Sequence, residues 1–208
     1  MIRLLCLLIG YAFGCIQSAY IVGRAMKNID VREYGSGNAG TSNVIRVVGR
    51  RAGLIVFVSD VLKAVAAFVL CAILFYGGGS FFEDGLPMEP GLYAGLGVLL
   101  GHNFPFFLKF KGGKGIASFL GVMLALDWRA ALIVYAIGFV VLKLTRYMSL
   151  TSLTMSLLFP IFILVFFNHQ LETVIITFIM AAMAFYLHRG NIQRLINGTE
   201  RKLELRKK

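Results

Sequence analysis

Three short stretches of this chain interleave cations with glycine, asparagine and serine, between long apolar runs. They are Gly35–Arg51 (GSGNAGTSNVIRVVGRR), Gly101–Ser118 (GHNFPFFLKFKGGKGIAS) and His188–Lys202 (HRGNIQRLINGTERK). Glycine removes side-chain bulk so that backbone N–H groups can approach an anion, and lysine or arginine supplies the opposite charge. The chemistry this favours is phosphate binding, with His102 and His188 as nearby groups able to hold or take a proton.

In the first stretch, Ser36, Gly37 and Asn38 lead into a helical pattern that Thr41 or Ser42 can cap, and Asn43 follows. A helix N-terminus after a glycine-rich loop is a natural anion site. Arg46 and Arg50 stand four residues apart, the spacing at which two guanidinium groups of one helix clamp a phosphate together. An amphipathic helix lying on lipid head groups, with Val44, Val47 and Val48 inward, fits the same residues equally well. Asp60 and Lys63 follow inside an apolar run, three residues apart, and can pair there. Lys63 is either half of a structural ion pair or a phosphate ligand.

The second stretch fails the nucleotide-loop pattern, because Lys114 is followed by Gly115 rather than by serine or threonine. It leaves a Gly112–Gly113 turn carrying Lys111 and Lys114 at the start of a short helix. His102, just before Pro105, is either a hydrogen-bonded packing residue or a base beside a cationic loop. In the third stretch His188, Asn191 and Arg194 share one stripe of a helix. That helix is either a solvated juxtamembrane element or a wall of the phosphate site, and Ser149 is placed to add a hydroxyl donor. The last basic residues read as topology signals, so truncation after Thr199 is expected to leave activity largely intact.

The elements that must position these stretches are membrane helices. The 208 residues are 58% hydrophobic and 15% charged, with mean hydropathy +0.79. That is the composition of an all-α polytopic membrane protein of one domain, residues 1–208. Apolar runs lie at Ile2–Val22, Gly53–Tyr76, Gly91–Leu108, Ile116–Leu126, Ala130–Leu144, Leu150–Phe167 and Leu171–Leu187. A crossing helix needs about 20 residues, so the fourth and fifth are short. Joining them would put Asp127, Trp128 and Arg129 in mid-membrane at about 3 kcal/mol per charge. A turn at Asp127–Arg129 avoids that cost, which makes about seven segments.

Of the 21 lysines and arginines, 18 fall on one set of loops, Arg24–Arg51, Lys109–Lys114 and Lys143–Arg146, and on the tail. The loop Gly77–Pro90 on the other face carries Glu83, Asp84 and Glu89 and no cation. The positive-inside rule then puts the N-terminus outside, and the C-terminus and all three polar stretches at the cytoplasmic face. The net charge of +11 is accounted for by anionic lipid and anionic substrates, so no nucleic acid partner is expected. The leading run lacks a cleavage site and is expected to remain as the first span. Cys6, Cys15 and Cys71 lie in apolar runs and read as small buried hydrophobes.

No histidine or cysteine cluster has metal spacing. The residues five positions beyond the three histidines are Phe107, Val174 and Gln193, so the His-x4-Asp signature of soluble-type glycerolipid acyltransferases fails each time. The paired-aspartate signature of the CDP-alcohol phosphotransferases is also missing. Neither a metal nor a cofactor is expected.

The three stretches together, with Asp60-x-x-Lys63, resemble the ordered cytoplasmic motifs of the bacterial acyl-phosphate:glycerol-3-phosphate acyltransferases. In this chain they occupy 35–63, 101–118 and 188–202. The resemblance implies transfer of a fatty acyl group from a long-chain acyl phosphate to the 1-hydroxyl of glycerol 3-phosphate. The products are 1-acyl-glycerol 3-phosphate and phosphate, an early step of phospholipid biosynthesis in the bacterial inner membrane. It implies neither acyl-CoA nor acyl carrier protein as direct donor, and a functional link to an enzyme that forms acyl phosphate. By motif position Ser36, Gly37, Asn38, Thr41, Asn43 and Arg46 form one phosphate cradle, with Lys63 as a further ligand. Lys111, Gly112, Gly113 and Lys114 form the other, and His102, His188 and Asn191 line the reacting centre with Ser149 nearby. Either histidine or the substrate's own phosphate can take the hydroxyl proton. The substrate phosphate is preferred, since no motif carboxylate is placed to tune a histidine. Ala64 and Ser42 stand where the family more often has glycine and threonine.

Two other functions remain to be weighed. A transporter of phosphate or an organic phosphate would need polar residues through the whole membrane depth, and only Asp60 and Lys63 lie deep. A lipid-recruiting scaffold would leave the glycine, asparagine and serine unexplained.

Overall fold

The computed structural model describes residues 1–75, 88–166 and 170–203. They form ten α-helices and two short 3₁₀ turns, in two compact units, Met1–Leu126 and Asp127–Lys208.

The first unit holds α1 (Ile2–Gly14), α2 (Ser18–Lys27), α3 (Thr41–Val47), α4 (Arg50–Leu74), α5 (Met88–Asn103) and α6 (Ile116–Leu126). The first apolar run is broken at Cys15–Gln17, so α1 and α2 share one span of Ile2–Lys27. Asn28 ends α2 in the left-handed conformation, φ 53°, which asparagine tolerates better than most residues. Two helices separated by Val48–Gly49 replace the single one expected over Thr41–Arg51. Gly49 has φ 129°, a region closed to residues with a Cβ. Arg46 therefore ends one helix and Arg50 begins another, and the same-face clamp built on i, i+4 spacing does not form.

α1 and α5 approach through glycine. A Cβ on Gly97 would meet the Leu7 carbonyl, one on Gly101 the Tyr11 carbonyl, and one on Gly10 the backbone of Ala94. Two small-xxx-small faces thus let the backbones touch, the usual means of helix association where lipid removes the hydrophobic drive. Below the first polar stretch, Ala19, Val31, Ala39, Val44, Ala52 and Val56 form a buried cluster that fixes the loop between α2 and α3.

The second unit holds α7 (Trp128–Thr145), α8 (Met148–Phe166), α9 (Leu171–Leu187) and α10 (Arg189–Ile196). The turn expected at Asp127–Arg129 is present. Asp127 caps α7, its carboxylate accepting from the Arg129 and Ala130 N–H groups at 3.0 and 3.2 Å. Trp128, 61% exposed, stands at that end as interfacial aromatics do. Leu132, Ile133, Phe139 and Val140 are also exposed, a face suited to lipid.

By length and composition five spans can cross a membrane among the described residues. The bent pair Leu171–Leu187 and Arg189–Ile196 makes a sixth, and α6 is a shorter apolar helix. The acidic loop expected at Gly77–Pro90 lies mostly outside the described residues, as do the cations of the last five positions.

Candidate functional site

The loop after α2 is built around Arg32. Asp30 caps the 3₁₀ turn Val31–Glu33 by accepting the Arg32 N–H at 3.0 Å, and its carboxylate pairs with the Arg32 guanidinium at 2.6 Å. Nη1 of the same guanidinium donates to the carbonyls of Leu108 and Lys111 at 3.3 and 3.1 Å. One planar fork thereby ties the first polar loop to the second. The Arg32 hydrogen bonds outweigh burial and hold the Asp30 carboxyl below the usual carboxylate range.

Asn43 is buried on α3 and completes the loop. Its Oδ1 accepts the Ser36 N–H at 2.8 Å, and its Nδ2 donates to the carbonyls of Val31 and Tyr34 at 2.8 and 3.1 Å. Gly40, rather than Thr41 or Ser42, is the residue before α3, and no side chain caps it. The Thr41 hydroxyl is buried and has no hydrogen-bond partner among the described residues. Ser36, Gly37 and Arg46 are exposed, and Asn38 is half-buried.

The second loop folds back on the end of α5. Gly112 N–H donates to the Asn103 carbonyl and Gly113 N–H to the His102 carbonyl, both at 3.1 Å. These two amides were expected to face an anion; they satisfy the terminal carbonyls of α5 instead. The amides left for an anion are those of Ile116–Ser118, since the first bond of α6 runs from Phe119 N–H to the Gly115 carbonyl at 2.7 Å. Asn103 Oδ1 and Ser118 Oγ are buried there without a hydrogen-bond partner among the described residues. Lys109 and Phe110 both have positive φ, 55° and 58°, a left-handed pair that the Arg32 bonds to either side help to hold. Lys111 is exposed, Lys114 half-buried. Asp30, Arg32, Glu33, Gly37, Lys109 and Lys111 help to line a cavity of about 460 Å³ between the two loops.

His102 is buried, as are Asp60 and Lys63 from α4. Lys63 Nζ lies 2.8 Å from Asp60 Oδ1, 2.9 Å from His102 Nδ1 and 2.7 Å from the Ile16 carbonyl. Ser18 donates to Asp60 Oδ1 at 2.9 Å, and Gln17 Nε2 to the carbonyls of Gly14 and His102, both at 3.1 Å. The break between α1 and α2 is thus satisfied by a buried lysine and a buried amide. Lys63 spends its hydrogens on these acceptors. A carboxylate does lie beside a histidine, contrary to the expectation from the motifs, with the lysine between them.

In the second unit Glu200 gathers the donors. Ser149 Oγ, Asn191 Nδ2 and Arg194 Nε donate to its carboxylate at 2.8, 2.6 and 2.7 Å. Burial pushes the Glu200 carboxyl up, but Asn191, Ser149 and Arg194 together hold it below the ordinary glutamate range. Lys202 stands over the Tyr147 ring at 5.6 Å, and Leu203 N–H donates to the Arg146 carbonyl at 2.7 Å. The structural boundary of the tail therefore lies past Glu200, not at Thr199. His188 is buried, its Nδ1 2.8 Å from the Ala184 carbonyl. A carbonyl only accepts, so Nδ1 carries a proton.

Within the first unit the fold brings together Ser36, Asn43, Lys63, His102, Lys111, Gly112 and Gly113. Within the second it joins Ser149 to Asn191. Reading the sequence passed over Arg32 and Glu200. Arg32 was one cation among many on a basic loop, and Glu200 a lone acid in a basic tail; only long-range contacts distinguish them. Asn103 and Ser118 lay inside the second motif, where their type alone gave no cue.

A family model described as glycerol-3-phosphate acyltransferase matches residues 4–198, across both units. A glycerol-3-phosphate acyltransferase of Thermoanaerobacter sp. (strain X514) is 43% identical, covering 98% of this chain and 96% of its own. One from Alkaliphilus metalliredigens is 40% identical, with 98% and 97% covered. Among solved structures, the glycerol 3-phosphate form of PlsY, an integral membrane glycerol 3-phosphate acyltransferase, is similar with a TM-score of 0.85. It is 31% identical, covering 97% of this chain and 96% of that one. The lysophosphatidic acid form of the same protein gives a TM-score of 0.83 at 31% identity, covering 97% of this chain and 95% of that one.

Proposed function

This chain belongs to the glycerol-3-phosphate acyltransferase family and is an integral membrane enzyme that transfers an acyl group to glycerol 3-phosphate, and we propose that its donor is a long-chain acyl phosphate. The 1-hydroxyl oxygen attacks the acyl carbon, the bond from that carbon to the phosphate oxygen breaks, and inorganic phosphate leaves. The hydroxyl proton passes to a substrate phosphate, so atoms and charge balance without a cofactor. An acyl phosphate is a mixed anhydride with a good leaving group, so positioning and charge stabilisation supply most of the acceleration.

The observation that carries this reading is the packing of two glycine-rich loops on one histidine at the end of α5. A Cβ on Gly113 would meet both His102 Nε2 and the Ala39 carbonyl. Both substrates carry phosphate, and exposed Arg46 and Lys111 are cations suited to them. Ser36, Gly37, Asn38 and the Thr41 hydroxyl serve the first cradle, with Asn43 holding its shape. Lys114 and the amides of Ile116–Ser118 serve the second, with Gly112 and Gly113 as the close-packed turn that sets it. Asn191 and Ser149 serve the same reaction through Glu200. His188, buried with its proton on Nδ1, serves the reacting centre as a second imidazole. Lys63 acts through His102 rather than on phosphate.

The basic loops support a site facing the cytoplasm in the inner membrane, with the N-terminus outside, and an acyl-phosphate-forming enzyme supplies the donor. The test uses the full chain in detergent with acyl phosphate and glycerol 3-phosphate. Equimolar 1-acyl-glycerol 3-phosphate and phosphate are expected. Product formed only with acyl-CoA or acyl carrier protein would overturn the donor, and solute uptake into vesicles without phosphate release would favour a transporter.

A further inference from the structure

We propose that Lys63 is a positioning residue that locks the tautomer of His102, keeping its proton on Nε2 where the two glycine-rich loops meet. This deepens the acyltransferase reading and rests on it for its consequence, though not for its geometry. Four acceptors surround the Lys63 ammonium: Asp60 Oδ1 at 2.8 Å, the Ile16 carbonyl at 2.7 Å, His102 Nδ1 at 2.9 Å and, more distantly, the Gly14 carbonyl at 3.4 Å. An ammonium has three hydrogens and accepts nothing. The three short contacts use all of them, so Nδ1 must offer its lone pair. Asp60 does not compete for that nitrogen, since its oxygen is 3.6 Å away, beyond a useful hydrogen bond.

A neutral imidazole with Nδ1 as acceptor carries its hydrogen on Nε2. That atom lies at Gly113, next to the Ala39 carbonyl, where glycine alone leaves room. His102 is then a fixed donor at the junction of the two phosphate cradles. It is not a base, because neither nitrogen has a free lone pair. Gln17 strengthens the arrangement by bonding the His102 carbonyl at 3.1 Å, which fixes the backbone from which the ring projects. His188 has the opposite arrangement, with its proton on Nδ1, so the two histidines cannot exchange roles.

The test is nitrogen NMR of histidine-labelled full-length protein in lipid nanodiscs, with His102→Gln identifying the signal. The wild type is expected to show a neutral Nε2–H imidazole at neutral pH. An Nδ1–H tautomer or an imidazolium at His102 would overturn the lock, and this arm needs no variant at position 63 to fold. In Asp60→Asn/Lys63→Met, which removes both buried charges, a mixture of tautomers is expected. So is a fall in kcat/KM on the order of 10–100-fold, with Lys63→Arg regaining the Nε2–H signal. An unchanged spectrum in the double variant would also overturn it. Correct tautomer with no acyl transfer from any donor would sink the functional reading and leave the lock standing. Transfer with the wrong tautomer would do the reverse.

Discussion

The Arg32 guanidinium donates to the Lys111 carbonyl at 3.1 Å while its other edge pairs with Asp30 at 2.6 Å. A residue outside all three motifs thus sets the distance between the first two. The cavity between the loops has this guanidinium in its lining, so its loss alters the walls rather than a ligand. Arg32→Ala is expected to raise KM for glycerol 3-phosphate more than it lowers kcat, and to cost about 1–3 kcal/mol of stability. Arg32→Lys should rescue poorly, because an ammonium cannot reproduce the planar fork. Steady-state kinetics and thermal unfolding in detergent check both, and a wild-type KM in Arg32→Ala would count against the tie.

Glu200 predicts a pH dependence of stability. Its folded carboxyl titrates below the ordinary range, so the unfolded chain binds the proton more readily. The stabilisation is present above the unfolded value of about 4.3 and is lost as pH falls through the folded value. The wild type should melt above Glu200→Gln at neutral pH, and the gap should close in acid. Truncation after Thr199 should reduce activity, whereas truncation after Leu203 should not. Equal activity of the two truncations would remove Glu200 from the functional argument.

Gly101 of α5 and Gly49 between α3 and α4 separate spatial demand from conformational demand. Gly101→Ala would drive a Cβ into the Tyr11 carbonyl of α1 and is expected to cost about 1–3 kcal/mol. Gly49→Ala meets nothing within 4 Å but must adopt φ 129°, so its penalty is backbone strain at the α3–α4 break. Gly101→Ala should therefore lower the melting temperature, while Gly49→Ala should chiefly shift the Arg46 side and the kinetics. Equal melting temperatures for Gly101→Ala and the wild type would show that α1 and α5 have room to part.

The histidines can be sorted by pH–rate profiles. With a substrate phosphate as proton acceptor, His102→Gln and His188→Gln should both be slower yet keep the shape of the wild-type profile. Loss of the acid limb in His188→Gln alone would make His188 the base.

Much of the fold was legible because a membrane imposes simple rules. Apolar runs such as Ile116–Leu126 and Leu171–Leu187 have the bounds of α6 and α9 to the residue, and Asp127 declares a turn because its charge has no place in lipid. Arg46 and Arg50 misled for the opposite reason. Periodicity continued through Val48–Gly49, and only the left-handed backbone at Gly49 broke the helix. By itself, then, the sequence determined an all-helical membrane protein, the order of its motifs and the anionic nature of its acyl acceptor, because those depend on residue type and spacing. Tertiary structure alone decided that Gly112 and Gly113 cap α5, that Asn43 and Lys63 are spent inside the protein, and that Arg32 and Glu200 hold the loops. Hydrogen bonds that cross a loop or join two loops, from 6 to 79 positions apart, have no signature in local pattern, since many of the acceptors are backbone carbonyls that every residue possesses.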